Sequence, residues 1–353
     1  MQEQAGPSSI HLKVKQVIRE TKDTRSFILE PIGDVPLQYM PGQFLTFLFR
    51  QSGGAEARRS YSLSSTPLLN EPLMITVKRT TNGEYSRRLV DKTKEGDELL
   101  TIGASGFFTL PTTWHQYKQL IFFAAGSGIS PVYALIKTVL YSNDTLPVVL
   151  IYSNRSPETT IFYESLKALQ QAFPGRFQVI FLFSTVADLS KARLNVDLLH
   201  RLFGSQSVEQ LEKQLFYLCG PFEYMRMITI ALQGHGVPPA NIRKEIFNVE
   251  KPQKRPAPPD TKPHQVKLLL AGKEYQFEVQ YPVTILQAAK SLQIPVPYSC
   301  ESGQCGTCAA TCLKGKVWMW HNDVLLDDEV ASGRVLTCTG YPVEAGVLLQ
   351  VGT

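Results

Sequence analysis

The sequence predicts a multidomain protein: an antiparallel β-barrel, then an α/β domain on a parallel sheet, then a small α+β domain. Three observations carry that prediction. Short alternating segments joined by Gly/Pro turns fill residues 10 to about 110, strand-like and helix-like runs alternate from about 118, and VEKPQKRPAPPDTKP (249–263) places five prolines ahead of the last 90 residues. In the first region HLKVKQVI, QFLTFLFR and LMITVKR alternate apolar and polar residues, and evenly spaced short strands favour a small barrel over a parallel sheet. In the second, QLIFFAA, PVVLIYS, FQVIFLF and LFYLC read as strands separated by helices. Phe162, Leu166, Leu169 and Phe173 form one apolar stripe on the second of those helices. That alternation is the pattern of βαβ units. Proline at the density of the third feature excludes a helix or central strand and predicts a stiff, extended tether. Beyond it, Val266, Leu268 and Leu270, then Tyr275, Phe277 and Val279, alternate about an Ala271-Gly272 turn as a hairpin. TILQAAKSLQ follows as a short helix and a cysteine-rich loop comes next. The division expected is 1–112, 113–248, a linker 249–263, and 264–353.

Composition narrows the class. The 353 residues are 43% hydrophobic and 19% charged, as in a globular protein of two or three domains. MQEQAGPSSI lacks a basic segment followed by an apolar run, and no stretch approaches the roughly 18 apolar residues of a membrane helix. The expectation is a cytoplasmic chain with no membrane insertion, whose six cysteines are ligands or core residues rather than disulfides. A net charge of +5 is too mild to argue for nucleic acid. The charge is uneven: residues from 264 onward carry six basic and eight acidic side chains, the rest 30 and 23. An acidic module on a basic body helps the two dock.

PYSCESGQCGTC (297–308) supplies the sharpest signal. Cys300, Cys305 and Cys308 form C-x4-C-x2-C, and Cys338 follows. Four thiolates at this spacing suit a two-iron cluster, whereas zinc sites usually show paired C-x2-C knuckles. Gly303 and Gly306 let the loop wrap tightly and aim N–H groups at the sulfurs. Residues 264–353, with LTCTGYP around the fourth cysteine, resemble a plant-type [2Fe-2S] ferredoxin domain of the β-grasp fold. Cys312 departs from that ligand pattern and reads as a packed thiol on a strand. Trp318, Trp320 and His321 read as hairpin packing, with an aromatic relay to a partner as the alternative.

RRSYSLSS (58–65), then VKRTTNGEYSRRLV with Gly83-x-x-Ser86 opening a helix, then GASGFF (103–108), are each common alone. In this order on a barrel they resemble the flavin domain of the ferredoxin–NADP reductase superfamily. The resemblance assigns Arg59 to the flavin phosphate, Tyr61 to stacking on the ring, Ser62 to its N5 edge, and Gly83 and Ser86 to the pyrophosphate. Leu63, Val77 and Lys78 join that cofactor-binding set. AAGSGISP (124–131) stands between a strand and a helix, where Gly126 and Gly128 permit close approach of a pyrophosphate and Pro131 suits the first helical turn. The family's Cys-Gly-Pro segment matches Cys219 and Gly220 in YLCGP, which implies a place for Cys219 beneath the nicotinamide. EIFNVE matches its Glu-x-Phe ending and implies that Glu245 and Phe247 lie near the flavin. The catalytic set expected is Ser62, Cys219 and Glu245.

Strand PVVLIYS runs into Asn154, Arg155 and Ser156, where the adenosine ribose is read. A cation and a hydroxyl there suit the 2′-phosphate of NADPH, with Arg193 assisting; a carboxylate would suit NADH. The domain order resembles reductase components of multicomponent oxygenases. It implies an NADPH-dependent reductase passing electrons through FAD (FMN being the alternative) and a [2Fe-2S] cluster to an oxygenase. The type of partner is that of ring-1,2-phenylacetyl-CoA epoxidase in aromatic degradation, docking near the cluster. A desaturase, ketosteroid hydroxylase or hybrid-cluster protein is the alternative acceptor, and a non-catalytic scaffold the alternative class.

Overall fold

The computed structural model describes residues 9–33, 37–51, 56–142, 145–186, 192–247 and 255–352. Strands β1 (Ile10–Thr21), β2 (Thr24–Pro31), β3 (Phe44–Arg50), β4 (Glu56–Ser62), β5 (Leu73–Lys78) and β6 (Glu98–Ser105) form an antiparallel sheet in the order β4-β3-β6-β1-β2-β5. The ends of that order meet. Leu63 bridges to Ile75 and the Ser64 N–H donates to the Met74 carbonyl at 2.8 Å, which closes the expected barrel. Inward residues such as Leu12, Phe27, Phe47, Leu63 and Ile75 are fully buried. Helix α1 (Glu84–Lys92) lies between β5 and β6.

The second unit is β7 (Gln119–Ala125), α2 (Ile129–Tyr141), β8 (Val148–Asn154), α3 (Tyr163–Ala172), β9 (Phe177–Phe183), α4 (Val196–Phe203), α5 (Val208–Glu212), β10 (Gln214–Cys219), α6 (Phe222–Gly234) and β11 (Ile242–Glu245). Its sheet is parallel throughout, ordered β11-β10-β7-β8-β9. The chain winds outward from β7 through β8 and β9, then returns to lay β10 on the other side of β7. That reversal leaves a crevice at the carboxyl ends of β7 and β10, the usual ligand position in such sheets. The apolar stripe of α3 is shorter than its spacing suggests. Leu166 and Leu169 are buried within the helix, while Phe162 is a left-handed N-cap (φ 58°) stacked on Tyr133 and Phe173 is the C-cap against Tyr141. The flanking rings pack on α2 rather than continue the turn.

The third unit contains β12 (His264–Leu270), β13 (Lys273–Val279), α7 (Ile285–Ser291), β14 (Ala309–Lys314), β15 (Val317–Met319), α8 (Asp327–Ala331), β16 (Arg334–Leu336), β17 (Gly340–Pro342) and β18 (Val347–Val351). The main sheet runs β13-β12-β18-β14-β16, with β12 and β18 parallel, and β15 and β17 form a small ribbon. The expected hairpin is present, with Val266 opposite Phe277 and positive φ at both turn residues, Ala271 and Gly272. Thr284 and Gln287 cap α7 reciprocally.

Of the expected tether, 249–254 fall outside the described residues, as do residues 1–8. From Arg255 to Pro263 no regular element forms, yet the segment is not free: Pro258 is buried and the Arg255 guanidinium lies 5.5 Å from the Trp320 ring. Among the described residues no helix is long and apolar enough to cross a membrane.

Candidate active site

Alternation along β4 builds the first part of the site. Arg59 and Tyr61 share one face, Ser60 and Ser62 the other. The Tyr61 ring lies 6.0 Å from Phe47, and the Arg59 guanidinium stands 4.7 Å above Tyr85 of α1. Arg59 and Tyr61, with Val77, Lys78, Gly83 and Ser86, line a cavity of about 420 Å³ that Ser127, Ser130 and Phe247 also reach. Burial pushes the Tyr61 phenol up, so it stays neutral. Gly83 precedes α1 at the N-cap and a Cβ there would fall 1.9 Å from Thr80 Oγ1. The Ser86 hydroxyl donates to the Gly83 carbonyl and accepts from the Thr80 N–H, so it shapes the helix entry; what α1 offers a phosphate is its free backbone N–H groups. Leu63 lies elsewhere. Its side chain is fully buried in the barrel core and only its backbone takes part, in the closing bridge.

The second part sits in the crevice of the parallel sheet. Gly126 has φ 54° and accepts from the Tyr152 hydroxyl at 2.9 Å. Gly128 passes so close to β10 that a Cβ would fall 2.1 Å from the Cys219 carbonyl oxygen, and Gly220 packs on Ala125 and Tyr224. Pro131 is buried in the first turn of α2, where it shapes the helix rather than lining the cavity. Ser127 and Ser130 of the same GSGIS run do line it, a contribution the sequence reading missed. Cys219 and Glu245 are register partners at the ends of β10 and β11. Ser62 crosses from the barrel to donate to Glu245 Oε1 at 3.0 Å. So the three expected catalytic side chains converge. Burial raises the Glu245 carboxyl to about 8, and burial, then the neighbouring Glu245, push the Cys219 thiol up. Among the described residues Glu245 Oε2 is buried without a partner.

The third part is the cysteine loop. Cys300 contacts the thiols of Cys305 and Cys338, and Cys308 contacts Cys338. The Ser302 N–H points at Cys300 Sγ (3.4 Å), the Cys300 N–H at Cys305 Sγ (3.5 Å), and the Thr307 hydroxyl is 3.4 Å from Cys305 Sγ. Gly303 and Gly306 have positive φ, but their close neighbours are not the sulfurs. A Cβ at Gly303 would fall 2.7 Å from the His321 carbonyl oxygen, and one at Gly306 would fall 2.4 Å from the Phe107 ring. Phe107 comes from the barrel's GASGFF turn and packs against the core of the third unit. Cys312 lies on β14, half-buried, its thiol near the Lys314 carbonyl at 3.4 Å. Trp318 packs toward Tyr341 across the β15–β17 ribbon, and Trp320 stacks on His321.

At the end of β8, Asn154 is half-buried and Arg155 exposed, its carbonyl accepting from the Thr185 N–H and hydroxyl. Ser156 opens a short turn, its N–H donating to the Thr159 hydroxyl, and the nearby Ser156 hydroxyl holds the Glu158 carboxyl below its usual range. Glu158, a carboxylate two residues past the serine, escaped the sequence reading, which stopped at Ser156. Arg193 is exposed ahead of α4.

All three parts open on one space. A cavity of about 880 Å³ is bounded by Ser62 of the barrel, Glu245 and Phe247 after the parallel sheet, and Cys300 and Cys305 of the loop. The donor sets fit the groups expected. Four converging thiols with N–H groups aimed at sulfur suit iron–sulfur chemistry. Gly126 turns the backbone at φ 54° at the mouth of the crevice, and the unpartnered Glu245 oxygen leaves a buried polar atom for a bound group to satisfy. The fold and site define a flavoprotein oxidoreductase with an iron–sulfur module.

Comparison with known proteins agrees in domain order. An oxidoreductase FAD-binding domain matches residues 11–110, an oxidoreductase NAD-binding domain 122–229, and a 2Fe-2S iron-sulfur cluster binding domain 268–343. The chain is 33% identical to the 3-ketosteroid-9-alpha-monooxygenase ferredoxin reductase component of Rhodococcus rhodochrous, over 96% of this chain and 95% of that one. It is 30% identical to one component of the 1,2-phenylacetyl-CoA epoxidase of Escherichia coli, over 96% of each. Phthalate dioxygenase reductase superposes over 98% of this chain and all of that one, with TM-score 0.60 and 26% identity. The chain belongs to this family of three-domain FAD, NAD and [2Fe-2S] reductases and is an NAD(P)H-dependent ferredoxin-type oxidoreductase.

Proposed function

We propose that the chain is the reductase component of a multicomponent oxygenase, taking electrons from NADPH and delivering them through FAD and a [2Fe-2S] cluster to an oxygenase partner in the cytoplasm. One observation carries the reading: the Ser62–Glu245 pair and the cysteines Cys300 and Cys305 border the same cavity. Relatives spanning nearly the whole chain are components of oxygenases, which supports an oxygenase as the acceptor. An oxygenase of the phenylacetyl-CoA epoxidase type, docking near the cysteine loop, is the finer form of the proposal.

A bound flavin would supply two-electron acceptance with one-electron release, and a bound cluster one-electron carriage, matching a two-electron donor to a one-electron acceptor. Arg59 would supply a cation to the flavin phosphate and the start of α1 its N–H groups, while Tyr61 would cover one face of the ring. Ser62 would hold the ring's polar edge, its own proton committed to Glu245 Oε1. Glu245, protonated below about 8, adds no negative charge where charge develops. Cys219, a neutral buried thiol, would support the nicotinamide, and the Gly126–Gly128 turn its pyrophosphate. Cys300, Cys305, Cys308 and Cys338 would ligate the cluster. The NADPH preference rests on exposed Arg155, with the Ser156 hydroxyl beside it. The same unit boundaries, near 112, 248 and 263, would separate the three cofactor sites.

The test is a visible absorption spectrum of anaerobically purified protein before and after NADPH or NADH. Flavin bands with an iron–sulfur shoulder, both bleached and more readily by NADPH, support the proposal. Bleaching by NADH alone removes the role given to Arg155. Absence of any chromophore after reconstitution sinks the reading.

A further inference from the structure

The second face of β4 carries more than Ser62. Arg58 and Ser60 point the same way and meet the third unit. Ser60 Oγ lies 2.8 Å from Ser299 Oγ. Arg58 Nη1 donates to the Tyr298 carbonyl at 3.0 Å, and its guanidinium carbon is 3.7 Å from the centre of the Tyr298 ring. The Arg58 side chain is only 10% exposed, with Nε held by Glu56 at 2.9 Å. From the other domain Lys290 comes within 4.1 Å of the same ring centre and pairs with both oxygens of Glu301, at 3.0 and 2.9 Å. A planar guanidinium is suited to both contacts at once, stacking on a ring while donating from its edge.

The placement gives these contacts a purpose. Tyr298 and Ser299 directly precede Cys300, while Arg59 and Tyr61 interleave with Arg58 and Ser60. One strand thus lines the flavin cavity with Arg59, Tyr61 and Ser62 and grips the start of the cysteine loop with Arg58 and Ser60. We infer that Arg58 is a positioning residue for electron passage between the two centres: stacked on Tyr298 and bonded to its carbonyl, it fixes the cysteine loop against the flavin cavity. This rests on the proposed route through flavin and cluster.

Stopped-flow absorbance on the flavin- and iron-loaded full chain separates flavin bleaching by NADPH from the later loss of cluster absorbance. If wild type bleaches its flavin and never its cluster, the proposed route fails and this inference with it. Given a wild type with both phases, Arg58→Ala is expected to keep flavin bleaching within about twofold and to slow cluster reduction about tenfold or more. Arg58→Lys should recover part of that loss, since an ammonium still donates to the Tyr298 carbonyl. Tyr298→Leu removes the ring, keeps the carbonyl and should slow the same phase by less; it decides the matter if Arg58→Ala fails to load iron. Cluster reduction at the wild-type rate in these variants, or equal slowing of both phases, overturns the positioning role and leaves the proposed function standing.

Discussion

In the cysteine loop three of the four thiols lie within nine residues, and the chain between them brings them together. Around Ser62 the side chains come from positions 62, 219 and 245, and a closed barrel and a parallel sheet must both form before they meet. The loop carries most of its own geometry, with Phe107 and Arg58 of the barrel bracing it from outside; the Ser62 site depends on close backbone approaches far from its own residues. The contrast predicts how each region breaks.

The largest effect is expected from Cys308→Ser. If the loop is self-contained, the variant keeps its flavin and its bleaching by NADPH, and loses reduction of a one-electron protein acceptor by about 100-fold or more; flavin content falling in step with iron would refute the independence. Gly128→Ala strikes the dispersed site through the backbone. With a Cβ 2.1 Å from the Cys219 oxygen, the turn before α2 and the end of β10 must shift apart. Stability should fall by roughly 1–3 kcal/mol in chemical denaturation, and the KM for NADPH should rise with iron content unchanged. An unaltered KM would show that the turn is not part of the nicotinamide site. Arg155→Ala is expected to lower kcat/KM for NADPH about tenfold, as for a lost charged hydrogen bond, and to spare NADH. Equal loss with both nucleotides would point to Glu158 and the ribose instead.

The last change is a slope. Burial keeps Glu245 protonated to about 8 when folded, against 4.5 as the ordinary value. Between those values the folded chain holds a proton that the unfolded chain has released, so stability falls as pH rises through that window and levels off above it. Flavin bleaching by NADPH should likewise slow several-fold as pH rises through about 8. Glu245→Gln should flatten both profiles; a variant that retains the wild-type slopes assigns them to another group.

The same contrast explains what the sequence made legible. Cysteine spacing is local, so the loop and its ligand candidates could be read directly, as could the hairpin about Ala271-Gly272, whose turn chemistry dictates its register. The strand–helix alternation likewise announced a parallel sheet. The approach of Ser62 to Glu245 was readable only through family resemblance, because no periodicity links residues 183 positions apart. The roles of Gly303 and Gly306 were half legible: positive φ follows from residue type, but contact with Phe107 and His321 is a tertiary fact. Leu63 and Pro131 looked like binding residues because they sit inside binding motifs, yet the Leu63 side chain lies in the barrel core and Pro131 is buried in the first turn of α2.

The hydrogen bond from Ser62 to Glu245 also bears on inheritance. A recombination event in the stretch between β6 and β7 would part the two halves of a single site, and each half would arrive in its new chain without its counterpart. A crossover within the proline-rich tether leaves that bond whole and exchanges only the terminal module. Lineages of such chains should therefore shuffle their last ninety or so residues far more freely than they separate the first two units.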